Sequence, residues 1–396
     1  MKSLLAPTEA MGIYQMLYAF MEASGKYMGE PGTHPWSQGF PLTSQLPGGP
    51  KLPDRISVSA ADLTYPKAWG HVSLRESIAS YYRHFYKANV APENVMVFAG
   101  GRAALFATVF LLAKNVRVVI EETEYTPYYD LLRILDRDPV IVPSNEKNNF
   151  LPTAQDYASC EPSSPHFRIR SNPCNPTGQV LRGERLREYV QACSKPGVGA
   201  LIDEAYEFFV DPEPVSAMQY IENIDDTNIF VAGAATKGLQ APGIRLGWVV
   251  ASRENVEILG NYSTFVMGGV SRVSQLYAEE LLNTERVTQA RKAVSTFYTQ
   301  QRKRYGTALL DMGMQLFSGE GGFYHWCKLP KGLQADTFNE RLFKREAAIL
   351  PGRLCDMHRR GNTSPLQEFF RFSFGPLKAD SFEDDVRILK SALSNP

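Results

Sequence analysis

One lysine within a run of small residues is the best candidate for covalent chemistry in this chain. The run A-A-T-K-G occupies residues 234–238, and P-G-I-R follows at 242–245, which places Arg245 eight positions after Lys237. A lysine removed from water has a lowered pKa and supplies the uncharged amine that Schiff-base formation needs. An arginine nearby can hold an anion. Taken alone, however, a lysine in a loop is usually a solvated charge, so the assignment depends on the other motifs.

A second candidate is the acid in L-I-D-E-A-Y at residues 201–206. Asp203 ends an apolar run that is typical of a buried strand. Burying a carboxylate there is costly without a cationic partner. A protonated ring nitrogen of a ligand would be such a partner, and capping of the next helix is the alternative role for this acid.

Two glycine- and proline-rich turns also follow predicted strands. F-A-G-G-R-A-A at residues 98–104 can present backbone N–H groups to a phosphate, or it can be no more than a tight strand-to-helix turn. It matches neither the P-loop nor G-x-G-x-x-G, which disfavours a nucleotide. S-N-P-C-N-P-T-G at residues 171–178 predicts a rigid turn, in which cis X-Pro bonds are one option.

The elements that must position these motifs alternate between strands and helices. Strand-like apolar runs occur at residues 95–99, 116–120, 140–142, 167–171, 200–203, 229–232 and 247–251. Helical patterns lie at 102–114, 127–135 and 183–194, and an earlier one at 73–88 begins with a capping box of Ser73 and Glu76. This alternation predicts an α/β fold, with a mostly parallel sheet covered by helices on both faces. Open sheets of this kind bind ligands where their strands end.

The pattern changes after about residue 285. A long charged helix is expected at 285–310, a strand at 322–329 and an amphipathic helix at 380–393. These elements predict a smaller α+β domain. We therefore expect a large domain over residues 50–284, and a small domain that combines residues 1–49 with residues 285–396.

Taken together and in this order, N-P-x-N-P-T-G, D-x-A-Y and K-x(4)-P-G-x-R-x-G resemble the fold-type I, pyridoxal-phosphate-dependent aminotransferases of class I and II. The resemblance runs from about residue 65 to residue 374. It implies pyridoxal 5'-phosphate as the cofactor and transfer of an amino group from an amino acid to a 2-oxo acid. Elimination, decarboxylation or oxidation on the same fold would keep the same motifs and stays an alternative at this point. A non-catalytic regulator is disfavoured, because the residues before Tyr65 are too few and too weakly basic for a DNA-binding module.

The resemblance also assigns roles to individual residues. It implies that Lys237 forms the Schiff base and carries the substrate proton, while Asp203 pairs with the pyridine nitrogen. Tyr206 and Asn175 would hydrogen-bond the ring oxygen, and Tyr125 would stack on the ring face. Four residues would hold the phosphate: Gly101, Arg102, Thr236 and Arg245.

Two flanking matches extend the site. Y-P-K-A-W-G at residues 65–70, followed by Leu74-Arg75, resembles a segment in which the tyrosine reaches the phosphate of the other subunit, so a homodimer with Tyr65 at the shared site is implied. F-R-F-S-F at 370–374 resembles the strand whose arginine binds the substrate carboxylate. Arg371 suits that role because its planar fork engages a carboxylate through two hydrogen bonds. Asn175 and Gly39 are also expected on the substrate side.

Composition excludes other classes of function. Lys and Arg (42) balance Asp and Glu (42), and no basic block occurs, which argues against nucleic-acid and membrane-surface binding. No apolar run approaches the roughly 20 residues of a membrane span. Five cysteines without C-x-x-C spacing favour a reducing, cytoplasmic setting over a disulfide framework. The six histidines form no paired motif, so no metal site is expected.

Overall fold

A seven-stranded sheet lies at the centre of the larger part of the protein in the computed structural model, which describes residues 4–5, 8–163 and 165–394. In chain order its strands are β1 (Val95–Phe98), β2 (Arg117–Glu121), β3 (Val140–Val142), β4 (His166–Ser171), β5 (Val198–Asp203), β6 (Ile229–Ala234) and β7 (Gly247–Val250). Across the sheet the order is β1-β7-β6-β5-β4-β2-β3. Strands β2 to β6 run parallel, and β7 runs antiparallel to both of its neighbours. The predicted mostly parallel sheet is confirmed.

Helices cover both faces of this sheet. They are α2 (Val72–Tyr86), α3 (Gly101–Phe110), α4 (Pro127–Ile134), α5 (Ala154–Cys160), α6 (Glu184–Cys193), α7 (Arg253–Val266) and α8 (Arg272–Leu281). Because successive strand residues point to opposite faces, Val97 joins one apolar cluster and its neighbour Phe98 joins another. The first cluster includes buried residues of α2, α6 and α8, whereas the second includes those of α3, α4 and α7. The strands are apolar throughout because helices cover the side chains that point to either face.

The predicted capping box at the start of α2 is wrong. The helix begins at Val72 with His71 as its N-cap, and that cap makes no side-chain hydrogen bond to the backbone. Ser73 lies inside the helix, and its hydroxyl is 2.7 Å from Glu279 Oε1 and 2.8 Å from His71 Nδ1. The Ser73 hydroxyl, which was expected to cap the helix, instead contacts α8, and the sequence around Ser73 gives no sign of this contact.

A second, antiparallel sheet forms the smaller part of the protein. It follows α9 (Thr284–Asp311) and contains β8 (Gln315–Leu316), β9 (Tyr324–Lys328), β10 (Leu350–Pro351) and β11 (Phe369–Ser373), in the order β10-β11-β9-β8. Helices α10 (Ala335–Phe343) and α11 (Phe382–Ser394) accompany it. The N-terminal helix α1 (Gly12–Ser24) buries Phe20 in an apolar cluster with Trp326 and Phe369 of this part. The domain boundary at residues 284–285 stays a prediction.

The strand ends bring the sequence motifs to one edge of the large sheet. Strand β1 is antiparallel to β7, which is antiparallel to β6, so β1 points the same way as the parallel strands. The carboxyl ends of β1, β4, β5 and β6 therefore meet at one edge, and each is followed by one of the four motifs. Among the helices of the described residues, none is long and apolar enough to cross a membrane.

Candidate active site

A cavity of about 470 Å³ lies at this edge of the sheet. Nine of the twelve residues assigned from the sequence line it: Gly101, Arg102, Tyr125, Asn175, Asp203, Tyr206, Thr236, Lys237 and Arg245. An adjoining cavity of about 150 Å³ shares Lys237 and Asn175 with the first and adds Gly39 and Arg371. The twelfth residue, Tyr65, lines neither cavity, and 98% of its surface is exposed.

Lys237 follows β6 and points into the cavity. Its Nζ donates a hydrogen bond to the Gly39 carbonyl and lies 5.8 Å from the centre of the Tyr206 ring. The pKa of Lys237 is lowered to about 7, mainly by burial and also by the positive charges of Arg102 and Arg371, while the carboxylate of Asp203 opposes this shift. Much of the amine is therefore uncharged near neutral pH, which is the state that attacks a carbonyl carbon.

Asp203 is the last residue of β5, and the protein fixes both of its oxygens. Oδ1 accepts a hydrogen bond from the Ala205 amide, and Oδ2 accepts one from the Tyr128 hydroxyl, both at 3.0 Å. Burial raises the pKa of Asp203, and these two bonds together with Lys237 oppose that rise. The sequence analysis missed Tyr128. Its position three residues after Tyr125, in the first turn of α4, is the signal that could have indicated a shared site.

Arg371 lies in β11 and is almost fully buried. Nη1 donates to Asn175 Oδ1 at 2.8 Å, and Nη2 donates to the Ser37 carbonyl at 2.7 Å. The guanidinium also lies 4.2 Å from the centre of the Tyr324 ring. Its Nε has no hydrogen-bond partner among the described residues. A buried cation with an unused donor at a cavity wall suits a carboxylate ligand.

One part of the lining of the larger cavity is suited to an anion. Gly100, with φ at +98°, is the N-cap of α3, and a side chain at this position would collide with the Arg245 guanidinium. A Cβ at Gly247 would lie 2.6 Å from the Gly101 amide nitrogen. Glycine at position 100 therefore makes room for the Arg245 guanidinium at the N-terminus of α3, where phosphate groups bind well, and glycine at position 247 lets β7 approach the Gly101 amide. With the Lys237 amine and the Asp203 carboxylate, this set of groups fits a phosphorylated pyridine aldehyde.

A buried acid that the sequence analysis missed joins two of the site loops. Glu124 forms no ion pair with the described residues, and burial raises its pKa to about 8. Its Oε1 accepts from the Tyr125 amide at 2.8 Å and from the Ser171 hydroxyl at 2.5 Å. The Ser171 Oγ in turn accepts from the Asn175 amide at 3.0 Å. This chain of bonds connects the loop that carries Tyr125 with the turn that carries Asn175, where both Asn-Pro bonds are cis.

Comparisons with known proteins agree with this geometry. The family model described as aminotransferase class I and II matches residues 36–381. An aspartate aminotransferase of Pyrococcus horikoshii is 26% identical over 74% of this chain and 77% of its own length. A probable aspartate/prephenate aminotransferase of Aquifex aeolicus is 24% identical over 83% of each chain. A solved double mutant of Thermus thermophilus aspartate aminotransferase has the same fold, with a TM-score of 0.81, 18% identity and 98% of both chains covered.

Proposed function

Because the chain belongs to the class I and II aminotransferases, which use pyridoxal 5'-phosphate, we propose that Lys237 bonds this cofactor and carries the proton in transamination. The family moves an amino group from an amino acid to a 2-oxo acid. The observation that carries the assignment of Lys237 is its buried amine, with a pKa of about 7, in the cavity that Asp203 and Arg245 also line. A neutral amine is both a nucleophile and a base, and transamination needs both.

The residues around Lys237 divide the remaining tasks. Arg371 binds the substrate carboxylate, and Asn175, to which it is bonded, faces the same ligand. Gly101, Arg102, Thr236 and Arg245 hold the phosphate. Bound pyridoxal phosphate supplies a conjugated ring that takes up the electron pair left when the substrate Cα–H bond breaks.

Asp203 and Lys237 each hold or accept one proton when the substrate Cα–H bond breaks. Asp203, whose oxygens are fixed by Tyr128 and the Ala205 amide, keeps a proton on the ring nitrogen. Lys237 Nζ accepts the proton that leaves the substrate Cα. Tyr206 and Asn175 bind the ring oxygen, and Tyr125 covers one face of the ring.

We test this assignment with two measurements on the purified protein loaded with cofactor. Borohydride reduction followed by peptide mapping is expected to label Lys237, and a label on another lysine would overturn the assignment. The protein is then mixed with single amino acids without an acceptor, while the visible absorbance and the products are followed. Bleaching with one equivalent of 2-oxo acid per site supports transamination, whereas continuous ammonia release would contradict it.

We also propose a homodimer in which Tyr65 of each subunit completes the other subunit's phosphate site. The nearly complete exposure of Tyr65, which lines neither cavity of its own chain, supports this arrangement, because a large aromatic side chain gains from being covered. Leu63 and Phe265 are also exposed, each at 74%. Sedimentation should give twice the chain mass. Mixing inactive Tyr65→Ala and Lys237→Ala subunits should restore activity, because one site in each mixed dimer is then intact; no recovery would contradict the shared site.

A cytoplasmic setting is part of the proposal. All five cysteines are free thiols, and four of them are buried. Unpaired thiols suit a reducing compartment. Fractionation of the source cells would check this placement, and recovery of the protein outside the cytoplasm would contradict it.

A further inference from the structure

One tyrosine contacts both functional halves of the cavity. Tyr324, at the start of β9, has its hydroxyl oxygen 2.5 Å from the hydroxyl oxygen of Tyr206. Its ring lies against the Arg371 guanidinium, with 4.2 Å between Cζ and the ring centre. Tyr206 is proposed for the cofactor ring oxygen and Arg371 for the substrate carboxylate. Tyr324 is therefore a physical link between the two binding functions.

The surroundings of Tyr324 hold its side chain in place. The residue is fully buried, and its ring packs edge-on against those of Tyr206 and Phe323 at 5.4 and 4.7 Å between centres. A Cβ on Gly39 would lie 2.6 Å from the Tyr324 hydroxyl oxygen, so glycine at position 39 makes room for that oxygen. The position of the hydroxyl is therefore defined by packing as well as by its hydrogen bond.

The charges around the two phenols indicate which one donates. Burial raises the pKa of Tyr324 to about 12, and the adjacent Arg371 cation opposes that rise. Burial raises the pKa of Tyr206 well above its ordinary value, and Tyr324 adds to the rise. The geometry of the pair allows either hydroxyl to donate. Because the Arg371 cation lies against the Tyr324 ring, we assign Tyr324 as the donor to Tyr206. The O–H of Tyr206 then remains free to donate to a ligand in the cavity.

We propose that Tyr324 is a positioning residue that orients the Tyr206 hydroxyl toward the cofactor ring oxygen and couples it to Arg371. This inference rests on the proposed function. A hydrogen bond from Tyr324 makes Tyr206 a stronger donor to the negatively charged ring oxygen. That oxygen then competes less well for the proton on the neighbouring nitrogen of Lys237. Tyr324 consequently lowers the pH at which the bound cofactor changes colour.

The test is Tyr324→Phe, which keeps the ring on Arg371 and removes only the hydroxyl. The matched control is Tyr305→Phe, because Tyr305 is also fully buried and its hydroxyl bonds Asp385 at 2.6 Å, outside both cavities. The readout is the pH midpoint of the visible absorbance band of the loaded protein. Loss of one hydrogen bond should raise the midpoint in Tyr324→Phe by about 0.5 to 1 pH unit. Tyr305→Phe should leave it unchanged while lowering the melting temperature.

A double variant separates this inference from the proposed function. Tyr206→Phe should itself raise the midpoint, and adding Tyr324→Phe to it should raise it no further, because the relay is already broken. A midpoint that Tyr206→Phe moves and Tyr324→Phe does not would overturn the role of Tyr324 alone. A midpoint that neither variant moves would overturn the assignment of Tyr206 in the proposed function. Equal shifts in Tyr324→Phe and the Tyr305→Phe control would show a general structural effect and also overturn the inference.

Discussion

Replacing Arg371 with lysine keeps the positive charge and removes the planar fork that serves several acceptors at once. In the structure one guanidinium donates to the Asn175 side chain and to the Ser37 carbonyl, and its buried Nε has no hydrogen-bond partner among the described residues. The single ammonium of lysine cannot reach all of these groups, so a buried acceptor or the substrate carboxylate loses its partner. Removing one side of a buried charge pair costs about 2–5 kcal/mol. We therefore expect kcat/KM for amino acids to fall by roughly 10² to 10³.

The assay compares an amino acid with the amine formed by its decarboxylation, in the wild type and in Arg371→Lys. The loss should be confined to the amino acid, and cofactor affinity should barely change, because Arg371 does not line the larger cavity where the phosphate end lies. Arg353→Lys is the matched control, since Arg353 holds Asp336 through two bonds of 2.6 and 2.9 Å and lines neither cavity. Equal losses for both substrates would refute the assignment of Arg371.

Three further predictions concern buried charged groups. Lys237→Ala should abolish turnover and borohydride labelling but retain the cofactor non-covalently, because the anion end of the cavity is intact; loss of cofactor binding by equilibrium dialysis would contradict this. Asp203→Ala should slow proton abstraction in single turnovers far more than it weakens cofactor binding, and normal rates would show that Asp203 only caps a turn. Burial raises the pKa of Glu204 to about 8, so between about pH 4.5 and 8 the folded chain keeps a proton that the unfolded chain releases. As the pH rises through this range, this group should therefore lower the free energy of unfolding by about 1.4 kcal/mol per pH unit. Urea titrations at several pH values should show that the free energy of unfolding of Glu204→Gln depends less steeply on pH.

The sheet could be predicted from the sequence because its strands are short apolar runs between helical patterns. Strand β3 has the predicted bounds, and the other six differ from the prediction by at most two residues at either end. The site residues were assigned from the family resemblance that the ordered motifs carry, and the two cavities bring together all of them except Tyr65. Four of the motifs directly follow their strands, which is why the fold brings them to one edge of the sheet.

The remaining features depend on contacts between distant segments. Tyr324 lies 118 positions from the Tyr206 hydroxyl that it contacts, and Glu124 lies 47 positions from Ser171. The sequences around Tyr324 and Glu124 give no indication of these distant partners. Ser73 is an example in which a distant contact overrode a local pattern. Its hydroxyl donates to Glu279, which is 206 positions away, instead of capping the helix.

The contacts of the 37–39 segment connect the proposed substrate side of the site to distant parts of the chain. The carbonyls of Ser37 and Gly39 receive Arg371 and Lys237, so the finished cavity needs segments separated by most of the chain. Closing so long a loop loses chain entropy before the contact repays it. Turnover of an amino acid, which uses Arg371, should therefore recover only in those refolding molecules in which the two ends of the chain have come together.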